Sequence, residues 1–192
     1  YQATEADVEF KGIVAQDHLC DELTEVGHDK PVTVVLDRTP FYGESGGQVG
    51  DTDQLVADSQ RLRITDTRKE NNLIVHLCDR LPEDPMVTFH AEVDRSRRTA
   101  ISNNHSATHL MHSALKQVLG AHVNQKGSLV NDAVTRFDFS HFAKVTDEEL
   151  AAIERMVNSK IRENIALDER RNVPVASAME MGATALFGEK YG

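Results

Sequence analysis

Residues 87–119 read VTFHAEVDRSRRTAISNNHSATHLMHSALKQVL, and the change of rhythm inside this stretch decides the fold. From Val87 to Val93 apolar and polar residues alternate with period two, which marks a half-buried strand. Past Asp94 the apolar residues Ile101, Ala107, Met111, Leu115, Val118 and Leu119 recur at helical spacing, and Gly120 supplies the stop. A strand-built half therefore gives way to a helix-bearing half near Arg95–Arg98. The expected domains are a β-barrel over residues 1–95 and a second domain over 96–192.

Toward the N-terminus the strand reading continues. Val8, Phe10, Ile13 and Val14 form one apolar cluster, and Val32–Leu36 forms another. Leu62–Ile64 and Leu73–Leu77 flank Glu70-Asn71-Asn72, a hairpin turn. Short strands separated by turns predict a small barrel. Toward the C-terminus, Val123–Val130 and Val134–Phe139 bracket Asn131-Asp132 as a second hairpin. Thr146-Asp-Glu-Glu149 is a capping box. It opens a helix whose apolar face carries Leu150, Ile153, Val157, Ile161 and Ile165. Val173-Pro-Val175 reads as extended, and Ala176–Met181 as a short helix stopped by Gly182. The fold class is α+β, a small N-terminal β-barrel followed by a two-layer α+β sandwich.

The formal net charge of −10 argues against a nucleic-acid partner only when averaged over the 192 residues. Residues 1–60 carry all of that deficit, with thirteen acids and three bases. The window 95–136 holds six bases and one acid, together with His105, His109, His112 and His122. Partners must therefore be argued locally. Arg95, Arg97 and Arg98 are candidates for phosphate contact by location, with a solvated basic helix start as the alternative. At 40% hydrophobic and 27% charged the chain is globular, not disordered. No apolar run approaches the roughly 20 residues that span a bilayer. The opening YQATEADVEF has neither a basic nor an apolar signal region, so no signal peptide is expected. It also lacks an initiator Met, which predicts a piece of something longer. Cys20 and Cys78 form no CxxC, so a reduced, cytoplasmic compartment is the default.

Three segments carry chemistry. In Asn104-His105-Ser106-Ala107-Thr108-His109 the two histidines are i,i+4 on a helix, one turn apart on one face and able to share an ion. Zinc favours such nitrogen ligands but needs four groups, or three plus water. Position 106 is Ser, so this is not the protease motif with a glutamate base. His112 follows on the same face. The alternative is a helix that simply carries exposed histidines. Gly43–Asp51 (GESGGQVGD) holds four glycines in eight residues, which fits either a phosphate-cradling loop or a tight barrel corner. Val123–Val130 (VNQKGSLV) places Gln125 and Ser128 on a strand just after the histidine helix. Neutral groups there can read a small polar substrate.

Together these segments resemble the editing region of the bacterial alanyl-tRNA synthetase family. Thr39–Asp51 (TPFYGESGGQVGD) resembles its glycine-rich motif, and His105–His112 with Leu115 its HxATHLLHxAL helix. Val123–Val130 followed by Arg136–Phe139 resembles its HVxQKGSLV strand and the segment after it. Ala183–Gly192 resembles the run leading into the last editing motif. The resemblance implies an ATP- and magnesium-dependent alanine–tRNA ligase as parent, with a separate site here that hydrolyses Ser-tRNA(Ala) and Gly-tRNA(Ala). Such a second site is needed because a pocket discriminates poorly against an added hydroxyl or a missing methyl. The implied zinc ligands are His105 and His109. The implied pocket residues are Gln125, which orients the aminoacyl group, and Ser128 beside it.

Two departures matter. The family's Cys-x-x-x-His pair, which completes the zinc site, follows the point where this sequence stops. These 192 residues are therefore expected to hold zinc weakly or not at all, and to deacylate little. Asp53 stands where a glycine is more usual. The implied partner is the mischarged 3′ end of tRNA(Ala), bound modestly and with salt sensitivity. The alternatives are a free-standing aminoacyl-tRNA editing protein, including the threonyl-type editing domain, a non-catalytic RNA-binding module, and a small-molecule metal hydrolase.

Overall fold

Alternating burial turns the first half of the chain into one antiparallel sheet. The computed structural model describes residues 3–15, 18–19, 31–58, 60–166, 168, 170 and 172–182. Cys20 and the Ala183–Gly192 segment lie outside them. The chain divides into two compact units, residues 1–108 with 127–137, and residues 109–126 with 138–192.

The first unit holds strands β1 (Glu5–Val8), β2 (Phe10–Ala15), β3 (His18–Leu19), β4 (Val32–Leu36), β5 (Asp53–Ala57), β6 (Gln60–Glu70), β7 (Leu73–Cys78) and β8 (Phe89–Val93). They form an eight-stranded sheet ordered β1-β8-β5-β6-β7-β4-β2-β3 and curled into a half-barrel. Neighbouring strands in this order all pair antiparallel. Register shifts between Phe10 and Gly12 in β2 and between Ile64 and Asp66 in β6 mark bulges, which increase local twist and bend a sheet. In β4, Val32, Val34 and Leu36 are buried while Thr33 and Val35 are partly exposed; β8 repeats the pattern with Phe89, Ala91 and Val93 inward. These residues join Val8, Ile13, Leu55, Leu62 and Ile64 in one core. Each large apolar side chain buried there is worth about 1.5–3 kcal/mol relative to exposure. Phe10 meets Phe89 edge to face with ring centroids 5.0 Å apart. The β6–β7 turn is the Asn71-Asn72 pair, with Asn71 at φ 56°.

Two core polar groups are held neutral. His76 is fully buried in β7 between the Thr39 hydroxyl (2.8 Å) and the Val34 carbonyl (3.3 Å). Desolvation lowers its pKa to about 4. Burial pushes the Cys78 thiol up to about 12, which leaves it an inert core residue.

Helix α1 (Arg95–Leu119) begins six residues before Ile101, the first position its apolar rhythm reveals. The signal is a cap. The Asp94 carboxylate accepts from the Arg97 amide (2.9 Å), and the Asp94 carbonyl accepts from Arg98 N–H. Gly120, at φ 116°, ends the helix as expected. Strands β9 (Gln125–Val130) and β10 (Thr135–Phe139) form the expected second hairpin. Helix α2 (Asp147–Arg162) opens on the expected capping box, with Thr146 N–H donating to Glu149 Oε2 (2.8 Å) and Glu149 N–H to Thr146 Oγ1 (3.2 Å). Of its expected five-residue apolar face, Ile165 lies past the helix end. Ile153 is buried, but Leu150, Ile161 and Ile165 are more than half exposed. Helix α3 (Val175–Glu180) starts one residue earlier than expected and stops at Gly182. No helix among the described residues is long and apolar enough to cross a membrane. The architecture is mixed α+β.

Asp53 opens β5 at φ 149°, a backbone conformation that favours glycine. Burial, then the charges of Asp94 and Glu92, raise its pKa. Ionised Asp53 therefore opposes folding; the penalty is full above the raised pKa and disappears as pH falls below the unfolded value. Asp53→Gly is expected to stabilise the protein by about 1 kcal/mol near pH 7, from strain relief less the entropy of a new glycine. Asp53→Ala keeps the strained Cβ and gains only the charge part. Urea titrations should show both gains shrinking near pH 3. Equal effects of Gly and Ala would exclude the strain.

Candidate functional site

The glycine-rich loop is strapped on both sides. Glu44 N–H donates to the Thr67 carbonyl of β6 (2.9 Å), Val49 N–H to Val130 O of β9 (3.1 Å), and Val130 N–H to Gly47 O (2.7 Å). Ser45 and Gln48 exchange backbone bonds of 3.1 and 3.0 Å across Gly46 and Gly47, whose φ angles are 60° and 83°. Asp51 N–H donates to Tyr42 O (3.0 Å). Five amides of the loop are thus spent on carbonyls. Of the two readings open from its composition, these bonds support the tight corner.

The start of α1 fastens this corner. Arg98 and Asp51 form a buried ion pair, and the same guanidinium donates to the carbonyls of Pro40 and Ala3, both at 2.6 Å. Arg97 Nη1 donates to Gly50 O (2.8 Å), and its Nε lies 3.5 Å from Asp132. Arg95 pairs with Glu5 at the surface. Arg98 is therefore neither a solvated residue nor a phosphate contact. Its charge is committed inside the fold.

His105 stands half-buried on α1. Its Nδ1 lies 2.6 Å from Oε1 of Gln48, the loop residue that is 1% exposed. One residue earlier, Asn104 Nδ2 donates to Asn131 O (2.8 Å), and Thr108 Oγ1 meets Thr135 Oγ1 at 2.6 Å. Position 109, four residues on along α1, holds an exposed histidine. His112 is buried and bonded to the Val123 backbone; desolvation, then the Lys116 charge, lowers its pKa. It packs inward as a core histidine. Among the described residues no three His, Cys, Asp or Glu side chains cluster as a metal-ligand set. Two imidazoles i,i+4 on one helix are nonetheless suitable nitrogen donors for zinc.

Gln125 and Ser128 both lie on β9, partly buried. Three residues apart on a strand, they leave opposite faces of it. Ser128 Oγ reaches toward Gly46 O (3.4 Å), on the side of the glycine-rich corner. Gln48 was not among the site residues read from sequence. A single buried-length amide set between glycines was the available signal.

Residues 1–97 match the family of class II tRNA synthetases (A). The chain is 61% identical over 159 residues to an alanine–tRNA ligase of Cytophaga hutchinsonii. It is 58% identical over 159 residues to that of Bacteroides thetaiotaomicron, and 53% identical over 168 residues to that of Flavobacterium psychrophilum. Each comparison covers 83% of this chain. The chain spans about a fifth of the length of these relatives, 18–19%.

Proposed function

The chain belongs to the alanyl-tRNA synthetase family of class II tRNA synthetases, and from that premise we propose that it is the editing segment of an alanine–tRNA ligase. Its work is to hydrolyse serine or glycine wrongly esterified to tRNA(Ala). The parent's ATP- and magnesium-dependent attachment of alanine belongs to other parts of that enzyme, acting in the cytoplasm. In this reading residues 1–95 are the barrel domain and 96–192 the larger part of a two-layer editing domain. The observation that carries it is helix α1, which sets His105 and His109 one turn apart.

His105 and His109 would hold zinc, which supplies positive charge beside the scissile ester. The chain's residues do the rest. Gln125 orients the aminoacyl group through its neutral amide, and Ser128 lines the same strand. Water adds to the ester carbonyl carbon, the bond to the ribose oxygen breaks, and that oxygen takes a proton. The products are free serine or glycine and uncharged tRNA. In the full-length enzyme Gln125→His is expected to slow Ser-tRNA(Ala) hydrolysis on the order of 10²-fold through misplaced substrate. Alanine activation should be unchanged. Equal loss of both activities would point to misfolding, and unimpaired hydrolysis would remove Gln125 from the site.

A further inference from the structure

We propose that Phe142, backed by the His122–His141 pair, is a stacking surface for an unpaired base of the tRNA. The inference rests on the reading of this chain as part of a tRNA-editing enzyme. It gives a role to an aromatic cluster that the hydrolysis described above does not use.

Phe142 is 89% exposed, yet its ring has a fixed neighbour. It stacks on His122 with centroids 4.6 Å apart and planes 26° from parallel. His122 Nε2 in turn lies 2.9 Å from His141 Nδ1, one nitrogen donating and the other accepting. The two imidazole planes differ by 17°, with centroids 5.2 Å apart. Two rings joined edge to edge by one hydrogen bond have this separation, so the pair is a nearly flat plate. Phe142 covers one face of its His122 half.

The two segments that carry these rings are strapped together. Ser140 N–H donates to Asn124 O (3.0 Å), Asn124 N–H to Ser140 Oγ (3.1 Å), and Asn124 Nδ2 to His122 O (3.0 Å). Gly120, at φ 116°, leaves room for the His122 ring: a methyl group there would lie 3.0 Å from Nδ1 and 3.1 Å from Cε1. The stack is thus set before a ligand arrives, which lowers the ordering cost of binding. A phenyl ring with one face on an imidazole and the rest in water suits a flat aromatic partner. Every base has a π-face, so such stacking holds single strands without reading their sequence. Splayed-out RNA bases are commonly held on Phe and His rings. Exposed Lys126 and Lys144 stand two residues beyond Asn124 and Phe142, and bring positive charge to both segments for the phosphates that accompany a base.

Fluorescence anisotropy of the chain with a labelled single-stranded RNA ending in ACCA measures the contact. A second RNA of the same length and charge carries abasic sites in place of those bases. Wild type should bind the first RNA about 10-fold or more tightly than the second. Phe142→Ala and Phe142→Leu should bind the first about 10-fold or more weakly than wild type, because leucine keeps the apolar surface but has no π-face. Phe142→Trp should bind at least as tightly as wild type. The ratio of wild type to Phe142→Ala should hold between about 50 and 200 mM salt, since stacking releases no counterions. Circular dichroism checks that the variants fold, and the abasic comparison needs wild type alone. Equal affinity of wild type for the two RNAs would overturn the proposal, as would a folded Phe142→Ala chain that binds as wild type does. Loss of self-association in Phe142→Ala, with RNA binding unchanged, would assign the ring to a protein contact and overturn it too. Absence of Ser-tRNA(Ala) hydrolysis by the full-length enzyme, with the stacking effect intact, would remove the editing function and leave the base contact standing.

Discussion

Replacing Arg98 with alanine is expected to cost about 3–5 kcal/mol, because it leaves a buried carboxylate without its counter-charge. The side chains of Arg98 and Asp51 are only 7% and 3% exposed. One guanidinium serves Asp51 through both Nε (3.1 Å) and Nη2, and it also satisfies the carbonyls of Ala3 and Pro40. Removal orphans all three acceptors at once. Tyr42 N–H still donates to Asp51 Oδ2 at 2.6 Å, but one neutral amide does not replace a cation. The sign of the double-variant effect is the sharper test. Asp51→Asn with Arg98→Met removes both charges and keeps most of the volume, so it should be clearly more stable than Arg98→Ala alone. Urea unfolding of the three variants measures this. A loss below about 1 kcal/mol in Arg98→Ala would mean that water reaches the carboxylate and that the pair is not buried in solution.

That pair shows what kind of information the sequence lacks. Local rhythm revealed β4 and β8, because both alternate buried and exposed residues without interruption. Asn71-Asn72, Gly120 and the Thr146–Glu149 box were legible for the same reason: each is a short-range chemical requirement of a turn or a helix end. Strand β5 escaped, since it opens on Asp53 and Gln54, which read as loop. The basic start of α1 was legible as a helix start, but the packing of its arginines was not, because their alkyl stems and ion pairs do what apolar residues do elsewhere. An arginine looks solvated until its partner is known, and Asp51 lies 47 residues away. The apolar stripe of α2 was legible as a pattern, but its burial was not, since period alone does not say what covers a face. In the candidate site, the spacing of His105 and His109 was visible in the sequence. The contact that orients His105 was not, because no local pattern links Gln48 to it.

The glycine-rich corner offers the second large effect, and its glycines should not behave alike. Gly50→Ala is expected to cost about 3 kcal/mol or more, at the upper end for overpacking. A methyl group there would run into the Thr67 carbonyl oxygen and lie 2.8 and 2.9 Å from the carbonyl carbon and the nitrogen of the same residue. These are backbone atoms of β6. Thr67 is fully buried, registers with His76 across β7, and donates through Oγ1 to Asp51 O (2.9 Å), so it cannot retreat without opening the ladder. Gly46 is the control. It takes φ 60° but has nothing within 4 Å of the position a methyl would occupy. Gly46→Ala should therefore cost only the left-handed backbone penalty of about 1 kcal/mol. Gly47 combines φ 83° with a close approach to Ser128 and should fall between Gly46 and Gly50, or match Gly50. The order has a functional reading too. Arg97 donates to Gly50 O and Gln48 sits two residues earlier, so displacing the corner at Gly50 should also disturb the contact between Gln48 and His105, whereas Gly46→Ala should leave it intact. Denaturation midpoints and the imidazole spectra of the three variants decide it. Equal costs at Gly46 and Gly50 would show that backbone conformation, not contact with β6, is what the loop's glycines serve.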